Sequence, residues 1–263
     1  MLRAYLMVNP AALHGLDLDF PHNVWPHGLS VVDEGQETIP DIKPFLIDLL
    51  APGGEALCAW WARHCVRANN LALIASPLPA AGLGAALRER MKVRLDDGSP
   101  MLLRLFDTRV LANAPRLLSK VQWRSVCDGI AAWAYADRDG QLRSLALAEA
   151  ETVPVPLPLR LSDTQVNGWI AAHAPDQVRP YLGPRWAQFA EGRTACEAHE
   201  LLSHAMQRAQ DAGLTDIQQW VAYCEARARL GSGFEDRAPW SEAIAKLAER
   251  QLSAEEFGAL GAI

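Results

Sequence analysis

Three prolines alternate with apolar residues in Val153-Pro154-Val155-Pro156-Leu157-Pro158, and this run restricts the fold more than any other stretch. Each proline removes a backbone donor, so the segment cannot be helical and makes a poor central strand. We read residues 151–162 as an extended connector, laid against the protein by its Val and Leu side chains. The patterns on its two sides differ. Upstream, short β-like runs mix with helical spacings; downstream, every periodic segment has helical spacing. The expected architecture is therefore α+β. A mixed α/β lobe with β-hairpins occupies residues 1–150, the connector follows, and an all-helical lobe covers 163–263.

Local signals fill in the elements. Tyr5–Val8, Pro44–Leu49 and Leu71–Ala75 predict strands. Glu55–Arg67 has helical spacing, with Leu57, Trp61, His64 and Cys65 on one side. Pro79 suits the first turn of a helix running to about Met91. Asp96-Asp97-Gly98 is a turn that should pair 92–95 with 101–106, and Asp137–Gly140 should join a second hairpin. Ser119-x-x-Gln122, Ser162-x-x-Gln165 and Ser253-x-x-Glu256 are capping boxes that start helices. Thr215-Asp216 caps another, which stops at Gly231.

Bulk properties exclude several classes. The formal charge is −6 and no dense Lys/Arg cluster occurs, which argues against a nucleic-acid partner. Five cysteines (Cys58, Cys65, Cys127, Cys196 and Cys224) lack any C-x-x-C pair, against a disulfide framework or zinc finger and in favour of a reducing compartment. No apolar run approaches the ~20 residues of a membrane span, and the start is too short an apolar run for a signal peptide. A cytoplasmic protein with no membrane association is expected.

Catalytic motifs are missing: no G-x-S-x-G elbow, no P-loop, no H-E-x-x-H. His14, His22 and His27 share one loop-like region, and a hydrolase or metal-dependent enzyme built on them is the rival reading. Irregular loop spacing favours solvent-facing histidines instead. Cys196 and His199 are i, i+3 on a helix, whereas His204 points elsewhere. We expect no catalytic, metal or cofactor residue and no enzyme activity. Among nine tryptophans, Trp60 and Trp61 cannot face one core from a single helix, being ~100° apart. Trp60 and Trp25 are the candidates for partner contact.

The sharpest stretch is 92–111. Arg104 falls inside an apolar run, so a buried guanidinium is expected to pair with an acidic neighbour. Asp107 precedes Thr108-Arg109-Val110-Leu111, where its side chain can cap a helix. Val93-Arg94-Leu95-Asp96-Asp97-Gly98 followed by Leu102–Leu111 resembles the domain of unknown function 4123 family. Pro44-Phe45-Leu46-Ile47 matches that family's early strand, and Trp133 with the Asp139-Gly140 turn also fits. Arg104, Asp107 and Arg109 carry the motif in a structural capacity. Thr108 stands where the family usually has proline, and Phe106 where it has tyrosine.

The resemblance implies an adaptor or chaperone of the bacterial type VI secretion system. Such a protein holds a cognate toxic effector in the cytoplasm and helps load it onto a VgrG-type spike. The implied partners are the effector and the spike protein; no cofactor is implied.

Overall fold

The computed structural model describes residues 1–9, 29–31, 44–64, 71–149, 151 and 153–260. The chain divides into two compact units, Met1–Trp169 and Ile170–Ile263. The fold is α+β, with sheets in the first unit and helices in the second.

A six-stranded sheet organises the first unit, in the order β2 (Leu29–Ser30), β3 (Phe45–Asp48), β1 (Arg3–Val8), β4 (Leu71–Ser76), β7 (Ala132–Ala136) and β8 (Leu142–Ser144). All of its pairings are antiparallel. The central strand explains why Tyr5-Leu6-Met7-Val8 is apolar throughout. Tyr5 and Met7 enter one cluster with Leu46, Ala72, Ile74 and Trp133, while Leu6 and Val8 enter another with Phe45, Ile47 and Leu71. A strand covered on both faces reads as a continuous apolar run.

Helix α1 (Gly54–His64) covers the second of these faces through Leu57 and Trp60. It begins tightly against the end of β3. A Cβ at position 54 would lie 2.3 Å from Leu49 O, so glycine is required there. The opposite face carries α2 (Ala80–Met91), α3 (Thr108–Leu117) and α4 (Lys120–Cys127), which contribute Leu83, Leu87, Met91, Leu111, Ala114, Trp123 and Val126. The Trp123 and Trp133 rings stack at 6.2 Å within this core.

A three-stranded sheet adds to the same core, in the order β6 (Pro100–Leu102), β5 (Lys92–Leu95), β9 (Leu159–Leu161). Both expected hairpins form, β5–β6 and β7–β8. The proline-rich segment does more than connect. Its end becomes β9, parallel to β5, an edge position that matches the exclusion of proline from central strands. Upstream of it, Val155 N donates to Ser125 Oγ at 2.7 Å, and the hydroxyl lies 2.9 Å from Val155 O. The segment therefore belongs to the first unit, and the division falls later, inside α5 (Asp163–Val178).

Two capping boxes interlock here. Gln122 and Gln165 each close the box begun by Ser119 and Ser162, and Gln165 Nε2 donates to Gln122 Oε1 at 2.7 Å. Gln165 Nε2 also reaches Leu117 O at 2.9 Å, which ties the start of α5 to the end of α3.

The second unit contains the end of α5, then α6 (Pro184–Ala190), α7 (Ala195–Asp211), α8 (Ile217–Leu230), α9 (Trp240–Ala248) and α10 (Ala254–Ala259). Thr194/Glu197, Asp216/Gln219 and Ser253/Glu256 form full capping boxes at α7, α8 and α10. Gly231 ends α8 with φ 81°, a left-handed angle natural only to glycine. One cluster gathers an aromatic chain, with Tyr223–Phe234, Phe234–Trp240 and Trp240–Phe257 centroids 5.2–5.6 Å apart. Another gathers Ala174, Val178, Trp186, Leu202, Met206 and Cys224. Among the described residues, no helix is long and apolar enough to cross a membrane.

Candidate functional site at the start of α3

The family-motif residues sit where β6 gives way to α3. The strand stops at Leu102, sooner than the apolar run implies. Leu103 N donates to Met91 O, Leu105 N to Leu103 O and Asp107 N to Arg104 O, so residues 103–107 fold into a turn. The alternation of a strand is lost there, and Arg104 emerges on the surface. Its guanidinium lies over the Phe106 ring at 5.4 Å from the centroid. The expectation that Arg104 is buried in a strand and pairs with an acidic neighbour is thus corrected: the turn exposes it, and its position over Phe106 is a cation–π contact.

Asp107 behaves as expected and does more. It is 2% exposed and caps α3, accepting from Arg109 N at 3.0 Å. Its two oxygens also accept from Arg109 Nε at 2.9 Å and Nη2 at 2.6 Å, a bidentate pairing. Burial pushes the Asp107 carboxyl upward. The Arg109 hydrogen bonds and charge, joined by the Arg104 charge, outweigh it and hold the carboxyl below the usual carboxylate range. Asn113 and Arg116 extend the polar face of α3, with Asn113 Nδ2 on Arg109 O and Arg116 Nη2 on Asn113 Oδ1. The outer side of the motif thus presents guanidinium groups on a stiff support; the carboxylate beneath them is fully engaged.

The buried guanidinium belongs to Arg90 instead. Arg90 is buried on α2 and donates to Val126 O in the last turn of α4 at 3.3 Å. Burial lowers its pKa, against the opposing charge of Asp128. The sequence signal existed: Leu83, Leu87 and Arg90 recur at i, i+4, i+7, one face of a helix.

The remaining candidates do not gather at this site. Trp60 is completely buried beneath the sheet with Leu6, Val8 and Leu71. Its candidacy for partner contact is corrected, because α1 turns Trp60 toward the strands. Trp25 and the loop histidines His14, His22 and His27 lie outside the described residues. His199 and His204 part company on α7: the first lies 3.9 Å from Asp176 and lines a pocket, and the second lines a separate recess with Glu197, Glu200 and Arg227.

A domain of unknown function, DUF4123, matches residues 4–125. Those residues are a DUF4123 domain. The match spans β1 to α4 and includes the whole Arg104–Arg109 turn. It stops before β7 and β8, although β7 pairs with β4 in the same sheet. No curated protein and no solved structure matches the chain. The matched residues thus supply β2, β3, β1 and β4 of the six-stranded sheet, helices on both of its faces and the motif. The proline-rich segment and the second unit lie beyond them.

Proposed function

We propose that this protein is an adaptor that works by binding. It takes one cognate type VI secretion effector in the cytoplasm and helps load it onto a VgrG-type spike. The observation that carries this reading is the DUF4123 match over residues 4–125, since the family resemblance of the Arg104–Arg109 segment implies that role. The chemistry of the motif agrees. Its carboxylate is spent on capping α3 and holding Arg109, so the motif acts as a stiff support for a surface. Some large apolar side chains of this unit are exposed. Leu2 and Leu50 are exposed near the β1–β3 pairing, where Leu49 N bonds Ala4 O, and Val153 is exposed farther along.

The test is co-expression with the product of the gene immediately downstream, followed by purification through a tag on either protein. The adaptor reading expects a stoichiometric complex with that product or with a spike protein. Two proteins that separate completely would contradict it.

A further inference from the structure

An edge strand presents backbone groups that no neighbouring strand satisfies, and proteins commonly blunt such edges. The two sheets of the first unit end in β2, β8, β6 and β9, and three of these edges are blunted. On β2, Ser30 O turns away from β3 and accepts from Arg88 Nη1 at 2.6 Å. On β6, Pro100 takes an outward position and has no N–H to offer. On β9, Arg160 O accepts from Gln122 Nε2 of α4. The edge at β8 differs. Leu145 N donates to Trp133 O and Asp137 N to Gln141 O, so the bonded pairs of this hairpin are Trp133/Leu145, Tyr135/Arg143 and Asp137/Gln141. Alternation then aims the N–H and C=O of both Leu142 and Ser144 away from β7. Among the described residues, nothing bonds to these groups. The open window is short, because Ala146 O is taken by Trp123 Nε1 at 2.9 Å.

Donors and acceptors spaced along a strand edge fit one kind of occupant, the backbone of another extended chain. The Leu142 side chain is 51% exposed beside the window, where an apolar residue of that chain can cover it. A second copy of β8 fits poorly. Two-fold pairing across this window would bring two Arg143–Asp137 pairs face to face with the guanidiniums directly opposite, an unfavourable placement of like charges. We propose that β8 receives a short extended segment of the carried protein as an added strand, held by backbone hydrogen bonds to Leu142 and Ser144. The proposal rests on the adaptor reading and gives it a docking point. β8 lies after residue 125, so the added strand extends the sheet on the side that the family match does not cover.

The test uses the full chain, alone and with the purified product of the gene immediately downstream, and follows amide hydrogen exchange along β8. Exchange at Leu142 and Ser144 should slow at least about tenfold in the complex. Ser144→Pro removes one outward donor and no bond to β7, and edge strands tolerate proline. It should weaken the complex at least about tenfold. Should that variant fail to fold, the exchange of the wild-type complex decides. A complex that leaves both amides unprotected overturns the proposal and leaves the adaptor reading standing. Failure of any complex to form overturns the adaptor reading and this proposal with it. Protection of both amides in the isolated chain, together with a doubled mass in light scattering, assigns the edge to a second copy and also overturns the proposal.

Discussion

Arg109 grips Asp107 three times, through its backbone N–H, its Nε and its Nη2, at 3.0, 2.9 and 2.6 Å. Two residues apart, they could not meet as neighbours on a helix face. They meet because Asp107 sits outside the helix as its cap. One buried carboxylate thereby ends a turn, starts α3 and orients an arginine on the surface of the DUF4123 domain.

Replacing Asp107 with alanine removes the cap and the pairing, at a cost of roughly 1–3 kcal/mol. Asp107→Asn keeps a capping oxygen and loses the charge. The pH dependence follows from the direction of the shift. The folded carboxyl is held below its ordinary value, so its stabilisation is complete above the unfolded value of about 3.9 and fades as pH falls through the folded one. Urea midpoints should separate wild type from Asp107→Asn at pH 7, and the separation should shrink as pH falls below the unfolded value. A constant separation at every pH would count against the charge pairing.

Ser125→Ala should loosen the proline-rich segment. The hydroxyl serves both Val155 N and Val155 O, so the alanine strands two polar groups at an expected ~1–3 kcal/mol. Hydrogen exchange and limited proteolysis should show the change near residues 153–158. Unaltered protection there would mean that the β9–β5 pairing alone holds the segment.

These local devices were legible in the sequence because each is written within a few residues. Asp107, Ser119, Ser162 and Ser253 cap where their spacing says, and both hairpin turns form. What depends on distant packing was not legible. Arg104 looked buried because 101–106 is apolar, yet a turn after Leu102 breaks the alternation. Spacing groups Trp61 with Leu57 and leaves Trp60 for the surface, yet Leu57 and Trp60 are also i, i+3, and the placement of the sheet decides that Trp60 is inside. Alternating prolines exclude helix but give no hint of the parallel partner β5 for β9. The pocket of the second unit joins Arg179, Trp186 and His199 from three elements, and no local pattern links them.

Trp60→Ala should therefore behave as a core truncation. It removes a fully buried indole between α1 and the sheet, at an expected ~3–5 kcal/mol. Leu50→Ser, on the surface, should change stability by less than ~0.5 kcal/mol. Denaturant unfolding of both variants measures the contrast. A mild effect at Trp60 would reject its place in the core.

Two thiols should be inert in the native protein. Burial pushes Cys127 up to about 11 and Cys224 up to about 12, and both side chains are buried. Only the thiolate reacts with alkylating reagents. With iodoacetamide at pH 8, mass spectrometry should find both unmodified until the chain is unfolded. Rapid alkylation of either under native conditions would show that its helix opens readily.

The adaptor account is tested most directly by secretion itself. Deleting the gene in its host and following each type VI effector in the culture medium measures the role without knowledge of the binding surface. The account predicts that one effector disappears from the medium while the others and the spike remain, and that a plasmid copy restores it. Normal secretion of every effector in the deletion strain would contradict the account.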